Sequence, residues 1–419
     1  MHDVESAERA VIVCVETDEG AEDYAIEELR SLAQTAGANV VADMHQHRPQ
    51  PDPAYYVGKG KAEEIAAAAA DSDATFVVVD TELSPVQQRN LQEAVQVRVI
   101  DRTQLILDIF GQRAHTREGK LQVELAQLSY LLPRLMNLYT RFERQQGGIG
   151  VRGGAGETKL ETDRRKVRER ISDLEEELAE VRSQRHQQRS LRRRLPFPTA
   201  ALVGYTSAGK STLLNTLSGA SVYADARLFA TLDPTTRRVV LPDGWALLLT
   251  DTVGFIRNLP HDLIAAFRAT LEEVNETDFL IHVVDASHPQ RDIQRAAVAE
   301  TLDELGAGGK PIITVFNKSD LARDHYALRE AVAATPNSCY VSARTADGLN
   351  HLMDRVVDTV RSLLVHVEIL VPYTRSDLVS QCYEYGRVLH ADYGSDGIRV
   401  RADVTRDLAG RLAPFSAPG

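Results

Sequence analysis

Short β-branched runs and amphipathic stretches alternate from the start of the chain. Residues 11–15 (VIVCV), 76–80 (FVVVD) and 97–101 (VRVID) are short β-branched runs, the pattern of buried strands. Between them AEDYAIEELRSLAQTAG, closing on Gly37, and SPVQQRNLQEAV, with Ser84 as N-cap ahead of Pro85, carry helical spacing. The alternation predicts a parallel α/β unit over 1–115. HRPQPDPAYYVGKGKAEEI interrupts it, and its Gly58-centred GKGK reads as a turn before a helix at Ala62 rather than a phosphate nest.

From Arg117 to about Phe142 the spacing is again helical, with Pro133 a kink. A glycine-rich stretch at 147–156 follows. Then Leu160, Val167, Ile171, Leu174, Leu178 and Val181 recur at three, four or seven residues, which predicts a two-helix or coiled-coil arm over 116–196. LPFPT at 195–199 marks a linker. A second α/β alternation fills 197–364, with strands at TAALVG, RRVVLP, WALLLTD, FLIHVVD, PIITVFN and SCYVSA, giving a mostly parallel six-stranded sheet. Residues 365–419 read as a small α+β domain: a strand (VHVEILVP), a helix (SDLVSQCYEYG) and a hairpin turning at Gly-Ser-Asp-Gly.

Composition narrows the class only a little. The 419 residues are 43% hydrophobic and 26% charged, ordinary for a globular protein. No run approaches the ~18–20 apolar residues of a transmembrane helix. MHDVESAERA is acidic and polar, unlike a signal peptide. Cys14, Cys339 and Cys382 lie far apart, without CxxC or zinc spacing. The expectation is a cytoplasmic protein with no stable membrane insertion, monomeric when free. A net charge of −12 argues against coating nucleic acid with the whole surface. Yet Arg182, Arg185, Arg189, Arg192, Arg193 and Arg194 run without an intervening acid, either as a solvated helix face or as a local footprint for RNA phosphates.

The chemistry is concentrated in the second alternation. GYTSAGKS, comprising Gly204, Tyr205, Thr206, Ser207, Ala208, Gly209, Lys210 and Ser211, fits GxxxxGK[ST] between an apolar strand and a helix. In that context successive backbone N–H groups face phosphates and the helix N-terminus adds positive potential. Lys210 would bridge the β- and γ-phosphates, and the Ser211 hydroxyl would ligate Mg²⁺. About 40 residues on, Asp251, Thr252, Val253 and Gly254 end a strand, with Asp251 placed to reach Mg²⁺ through water and the Gly254 N–H to meet the γ-phosphate.

NKSD follows the next-but-one strand as Asn317, Lys318, Ser319 and Asp320. Asp320 can accept from guanine N1–H and the exocyclic amine, donors that adenine lacks, so ATP would leave a desolvated carboxylate unpaired. Ser342, Ala343 and Arg344 follow a further strand, and the Ala343 N–H suits guanine O6. Four motifs in order, each at a strand's C-terminal end where open α/β sheets bind ligands, predict GTP and GDP as ligands. The first switch must lie in RLFATLDPTTRR, where Thr231, Thr235 and Thr236 each offer a hydroxyl to Mg²⁺. Where many GTPases place a water-orienting glutamine, after DTVG, this chain has Phe255.

GGIGVRGGAGETKLETDRR, FATLDPTTR and DTVGFIRNLP carry a resemblance over nearly the whole chain to HflX, a family in the Obg–HflX group of translation-factor-class GTPases. The resemblance implies an N-terminal HflX domain with a helical arm, a central G domain and a short C-terminal domain. It implies GTP hydrolysis and binding to the large ribosomal subunit near the peptidyl-transferase region, with splitting of stalled ribosomes under stress. It selects Thr231 as the Mg²⁺-binding switch residue and places Phe229, Ala230, Leu232 and Asp233 in the nucleotide site with it; Lys210, Thr231 and Gly254 become the catalytic set. It offers Arg152, Arg164 and Arg165 as contacts to ribosomal RNA.

Two departures stand out: the family's glycine-rich loop commonly has a proline near Ala155, and Ser319 replaces a hydrophobic residue. The family lacks the glutamine too, so Phe255 implies slow intrinsic turnover that the ribosome stimulates. The alternative is that Phe255 packs under the second switch while another residue positions the water. A GTP-timed RNA-binding assembly factor or remodeller is the competing function.

Overall fold

A computed structural model describes residues 8–16, 22–135, 155–193, 197–219, 228–257 and 273–416. Most of the glycine-rich loop, Arg152 included, lies outside them, as do the side chains of 155–160, of Arg182 and of 184–193. The chain forms two compact units. Among the described residues, one holds 8–135, 155–183, 228–233 and Arg257, and the other holds the remainder.

The first unit begins with β1 (Arg9–Glu16), α1 (Glu22–Thr35), β2 (Asn39–His47), α2 (Lys59–Asp71), β3 (Phe76–Val79), α3 (Pro85–Val95) and β4 (Arg98–Asp101). The four strands pair in parallel in the order β2-β1-β3-β4. Val77 and Val79 belong to a core with Val11, Val13, Ile65 and Leu91, as their apolar runs require. The sequence reading misses β2, an edge strand whose residues are half or fully exposed and which therefore needs no apolar run. Ser84 caps α3 in a capping box with Gln87. The turn lies at 53–55, and Gly58 is the extended N-cap of α2, which starts at Lys59 rather than at Ala62.

α4 (Arg102–Arg113) leads into α5 (Arg117–Leu131), which passes at Pro133 into a short 3₁₀ turn. The long helix α6 (Ala155–Arg193) then packs on α5 through Leu121, Leu174 and Leu178. Of the apolar stripe read from sequence, Leu174 and Leu178 are buried, whereas Val167, Ile171 and Val181 are half-buried. Arg170 straps the two helices together, with Nε and Nη2 donating to Glu124 at 2.8 and 3.0 Å.

The second unit contains a six-stranded sheet in the order β10-β9-β8-β5-β7-β6. Its elements are β5 (Thr199–Gly204), α7 (Lys210–Ser218), β6 (Thr235–Val240), β7 (Ala246–Asp251), β8 (Phe279–Asp285), α8 (Arg291–Glu304), β9 (Ile312–Asn317), α9 (His325–Ala334), β10 (Ser338–Tyr340) and α10 (Leu349–Leu363). Only β6 runs antiparallel within this sheet. Its parallel strands are buried on both faces, which explains their continuous apolar runs. β11 (Val365–Val371), α11 (Ser376–Tyr385), β12 (Arg387–Gly394), β13 (Gly397–Val404) and α12 (Arg406–Leu412) follow, with an antiparallel sheet in the order β11-β13-β12. α12, capped by Thr405, is a further element that the sequence reading does not include.

Candidate functional site

The C-terminal ends of β5, β7, β8, β9 and β10 carry the motif residues of the second unit. GYTSAGKS turns from β5 into α7. Gly209 caps this helix at φ +96° with no side-chain cap, and the helix N-terminus carries the positive end of the dipole, which suits an anion. A Cβ at Gly209 would also stand 2.3 Å from Asn317 Nδ2, which makes glycine obligatory here. Lys210 is buried, and its Nζ donates to the carbonyls of Gly204 (3.1 Å) and Tyr205 (3.0 Å). Burial pushes its pKa down to about 8, with the Asp251 charge opposing. Phosphate oxygens would supply the negative charge that keeps this amine protonated.

The Ser211 hydroxyl donates to Asp251 Oδ2 at 2.6 Å. A hydroxyl and a carboxylate side by side are hard oxygen donors of the kind Mg²⁺ takes together with phosphate oxygens and water, so this pair fits the ion. Thr252, fully buried, anchors the strand end by donating from Oγ1 to the Leu202 carbonyl at 2.7 Å. Gly254 then passes so close to the P-loop that a Cβ would lie 2.7 Å from Thr206 Cα and 3.0 Å from Lys210 Nζ. Phe255 bonds to the same loop through its backbone: its N–H donates to the Gly204 carbonyl (3.1 Å), and its carbonyl accepts from the Thr206 N–H (2.7 Å). The Phe255 residue is only 2% exposed. It therefore lies in the interior and presents no group that could hold a water.

Asn317 joins the NKSD and SAR segments to the P-loop. Its Nδ2 donates to the Ala208 carbonyl, and its Oδ1 accepts from the Ala343 N–H, both at 2.9 Å. The Ala343 N–H, matched to guanine O6 by sequence, thus already has an acceptor, which a base carbonyl would have to share. Ser319 is buried and donates its N–H to the Val341 carbonyl, whereas Asp320 is exposed. Ser342 is buried, with its N–H bonded to the Asp347 carbonyl, and Arg344 is exposed. Two residues not singled out from sequence enter here, Asp285 and Ser287. Asp285 Oδ2 accepts from Lys318 Nζ at 2.6 Å, and its Oδ1 from the Ser287 N–H and hydroxyl at 2.9 and 2.6 Å.

The FATLD segment belongs to the first unit. Phe229, at φ +53°, is fully buried and stacks edge-on to Phe110 with centroids 4.8 Å apart. Leu232 is buried, and Ala230 and Thr231 are half-buried. Asp233 accepts from the backbone N–H of His115 (3.1 Å) and Thr116 (2.9 Å) and from the Thr116 hydroxyl. Of the alternative hydroxyls, Thr236 bonds to Thr250 across the β6–β7 ladder, and Thr235 pairs with Asp251 in the same ladder. On α6, Arg165 is exposed and pairs with Glu169 at 3.7 Å, while Arg164 is half-buried.

Four family models match in tandem. They are described as the GTP-binding GTPase N-terminal region (residues 23–111), the GTP-binding GTPase middle region (113–192), the 50S ribosome-binding GTPase (199–318) and the HflX C-terminal domain (327–412). The GTPase HflX of Lacrimispora saccharolytica is 48% identical over 410 residues, 98% of this chain and 96% of its own. The GTPase HflX of Escherichia coli is 44% identical over 381 residues, 91% of this chain and 89% of its own. Among solved structures, a GTP-binding protein from Sulfolobus solfataricus in complex with GDP is 24% identical, covers 85% of this chain and 99% of its own, and superposes with a TM-score of 0.45.

Proposed function

The chain belongs to the HflX family of GTPases, and from that premise we propose that it binds and hydrolyses GTP at the strand ends of its second unit, slowly alone and faster on the large ribosomal subunit. The observation that carries the reading is the bracket made by Asn317, which fixes the P-loop and the SAR loop in one frame while leaving Asp320 exposed to read the base. Asp320 would accept from guanine N1–H and the exocyclic amine. Lys210 and the N-terminus of α7 would hold the β- and γ-phosphates, and Gly254 would offer its N–H to the γ-phosphate. Ser211 and Thr231 would hold Mg²⁺ directly, with Asp251 through water; the ion would neutralise charge building on the phosphates during transfer.

Phe255 carries no group to orient the attacking water, which is the ground for a ribosome-dependent rate. We further propose that the GTP-bound chain separates the subunits of stalled ribosomes, with Arg152, Arg164 and Arg165 meeting ribosomal RNA near the peptidyl-transferase region. Hydrolysis, by removing the γ-phosphate to which Gly254 would offer its N–H, would let the factor leave.

The test is GTP hydrolysis by the purified chain, alone and with saturating large subunits, with ATP in parallel. The expected result is a slow basal rate raised many-fold by subunits and no turnover of ATP. A fast rate indifferent to subunits would overturn the ribosome-dependent part. Light scattering of intact ribosomes, with GTP and then with GDP, separates subunit splitting from mere association.

A further inference from the structure

We infer that Asp285, clamped by Ser287, is a positioning residue for guanine recognition, acting by fixing the side chain of Lys318. The inference rests on the guanine-nucleotide reading above and adds a residue outside the NKSD motif to it. Asp285 and Asn317 are register partners at the C-terminal ends of β8 and β9, and the Ala286 N–H bonds to the Asn317 carbonyl at 2.8 Å. The two strand ends thus leave the sheet as one piece, and the base-reading segment begins from it.

Within that segment the side chains divide the work. Both ends of the Asn317 amide are committed to the P-loop and the SAR loop. Asp320 is exposed for the base edge. Lys318 remains to meet the base face, and by itself it is poorly suited to do so, because a lysine has four rotatable side-chain bonds and loses much rotamer freedom when ordered. Its backbone sits at φ +61°, which aims the side chain away from the line of the strand. Its ammonium then meets Asp285 Oδ2 at 2.6 Å.

The carboxylate is itself held. Oδ1 accepts twice from Ser287, through backbone and hydroxyl, so the carboxylate cannot turn without breaking both bonds. With the ammonium tied down, the methylene stem is laid out before nucleotide arrives, and apolar stems of this kind cover flat apolar surface while the charged head stays polar-bound. Ordering is thus done by the protein fold rather than by the ligand, which is how preorganisation raises affinity.

The test is a double-mutant cycle on the full chain, reading GDP and GTP dissociation constants by fluorescent-nucleotide titration with Mg²⁺ present, together with KM and kcat for GTP. Asp285→Asn, which keeps the shape and removes the charge, is expected to weaken both nucleotides about 10-fold and to raise KM alike, with kcat within about two-fold of wild type. In a Lys318→Met background the same substitution should change binding less than two-fold, because the group it acts through is gone. Ser287→Ala should weaken binding about three-fold, and only when Lys318 is present. If Asp285→Asn unfolds the protein, as judged by circular dichroism, the cycle is run with Ser287→Ala in its place. Equal binding by Asp285→Asn and wild type overturns the inference, and so does an undiminished effect without Lys318. Failure of the wild-type chain to bind GDP would instead overturn the guanine-nucleotide reading itself.

Discussion

Phe255 occupies an interior position beside the P-loop, with both backbone polar groups bonded to Gly204 and Thr206. A glutamine there would bury an amide in a place shaped for a ring, so Phe255→Gln should not create a faster enzyme. It should lower unfolding stability by about 3 kcal/mol in urea titration and leave the basal GTPase rate no higher. A faster variant would mean that position 255 can reach the water after all. His282, on β8, is 6% exposed, and its pKa is pushed down to about 4 by burial, with the Arg295 and Lys210 charges adding to the effect. Because the unfolded chain takes up this proton first as pH falls, the neutral histidine contributes stability that is full above about pH 6.5 and lost progressively toward pH 4. Unfolding titrations at about pH 7 and about pH 4.5 should show wild type losing about 2–3 kcal/mol more than His282→Leu. Equal losses would mean that His282 is protonated in the folded protein.

At the scale of elements, the start of helix α5 is tied to a residue far along the chain. Thr116 caps it locally, donating nothing to the helix but accepting from the Gly119 N–H at 3.0 Å, while Asp233 accepts from the N–H groups of His115 and Thr116 just ahead of it. A carboxylate at a helix N-terminus is favoured by the helix dipole as well as by these bonds. Phe229 and Asp233 thus fix both ends of the segment that carries Thr231. Asp233→Ala should destabilise the protein by about 1–2 kcal/mol, with Asp233→Asn losing less, measured by chemical unfolding. No loss in either variant would mean that water replaces the Asp233 carboxylate without cost. The same region marks a limit of legibility: FATLD is readable as a switch, but nothing in its spacing points to Phe110 or to the start of α5 as its support.

At the scale of the molecule, a net charge of −12 coexists with a helix, α6, whose sequence is locally rich in arginine. Binding to ribosomal RNA by such a segment would be strongly salt-dependent, since each phosphate contact releases counterions. Large-subunit affinity measured by sedimentation should fall steeply with salt. Arg164→Ala and Arg165→Ala should each reduce the slope of log affinity against log salt by about one if that side chain meets a phosphate. Variants with the wild-type slope would remove those residues from the RNA contact.

Much of this protein is determined locally. The buried strands VIVCV, FVVVD and FLIHVVD are legible because a strand covered on both faces is a near-continuous apolar run. The P-loop and NKSD are legible because phosphate and guanine chemistry demand particular residues at fixed short spacing. The hairpin at Gly-Ser-Asp-Gly is legible because its turn chemistry is local. The tertiary structure decides the rest. β2 gains its strand character from pairing with β1 rather than from its own composition. Phe255 becomes an interior residue only through the P-loop beside it, and Asp233 bonds the cap residue of α5 across more than a hundred residues. Asp285 meets Lys318 because two parallel strands end in register. Such pairings depend on which strand ends and helix ends the fold brings together, and sequence spacing does not encode that distance.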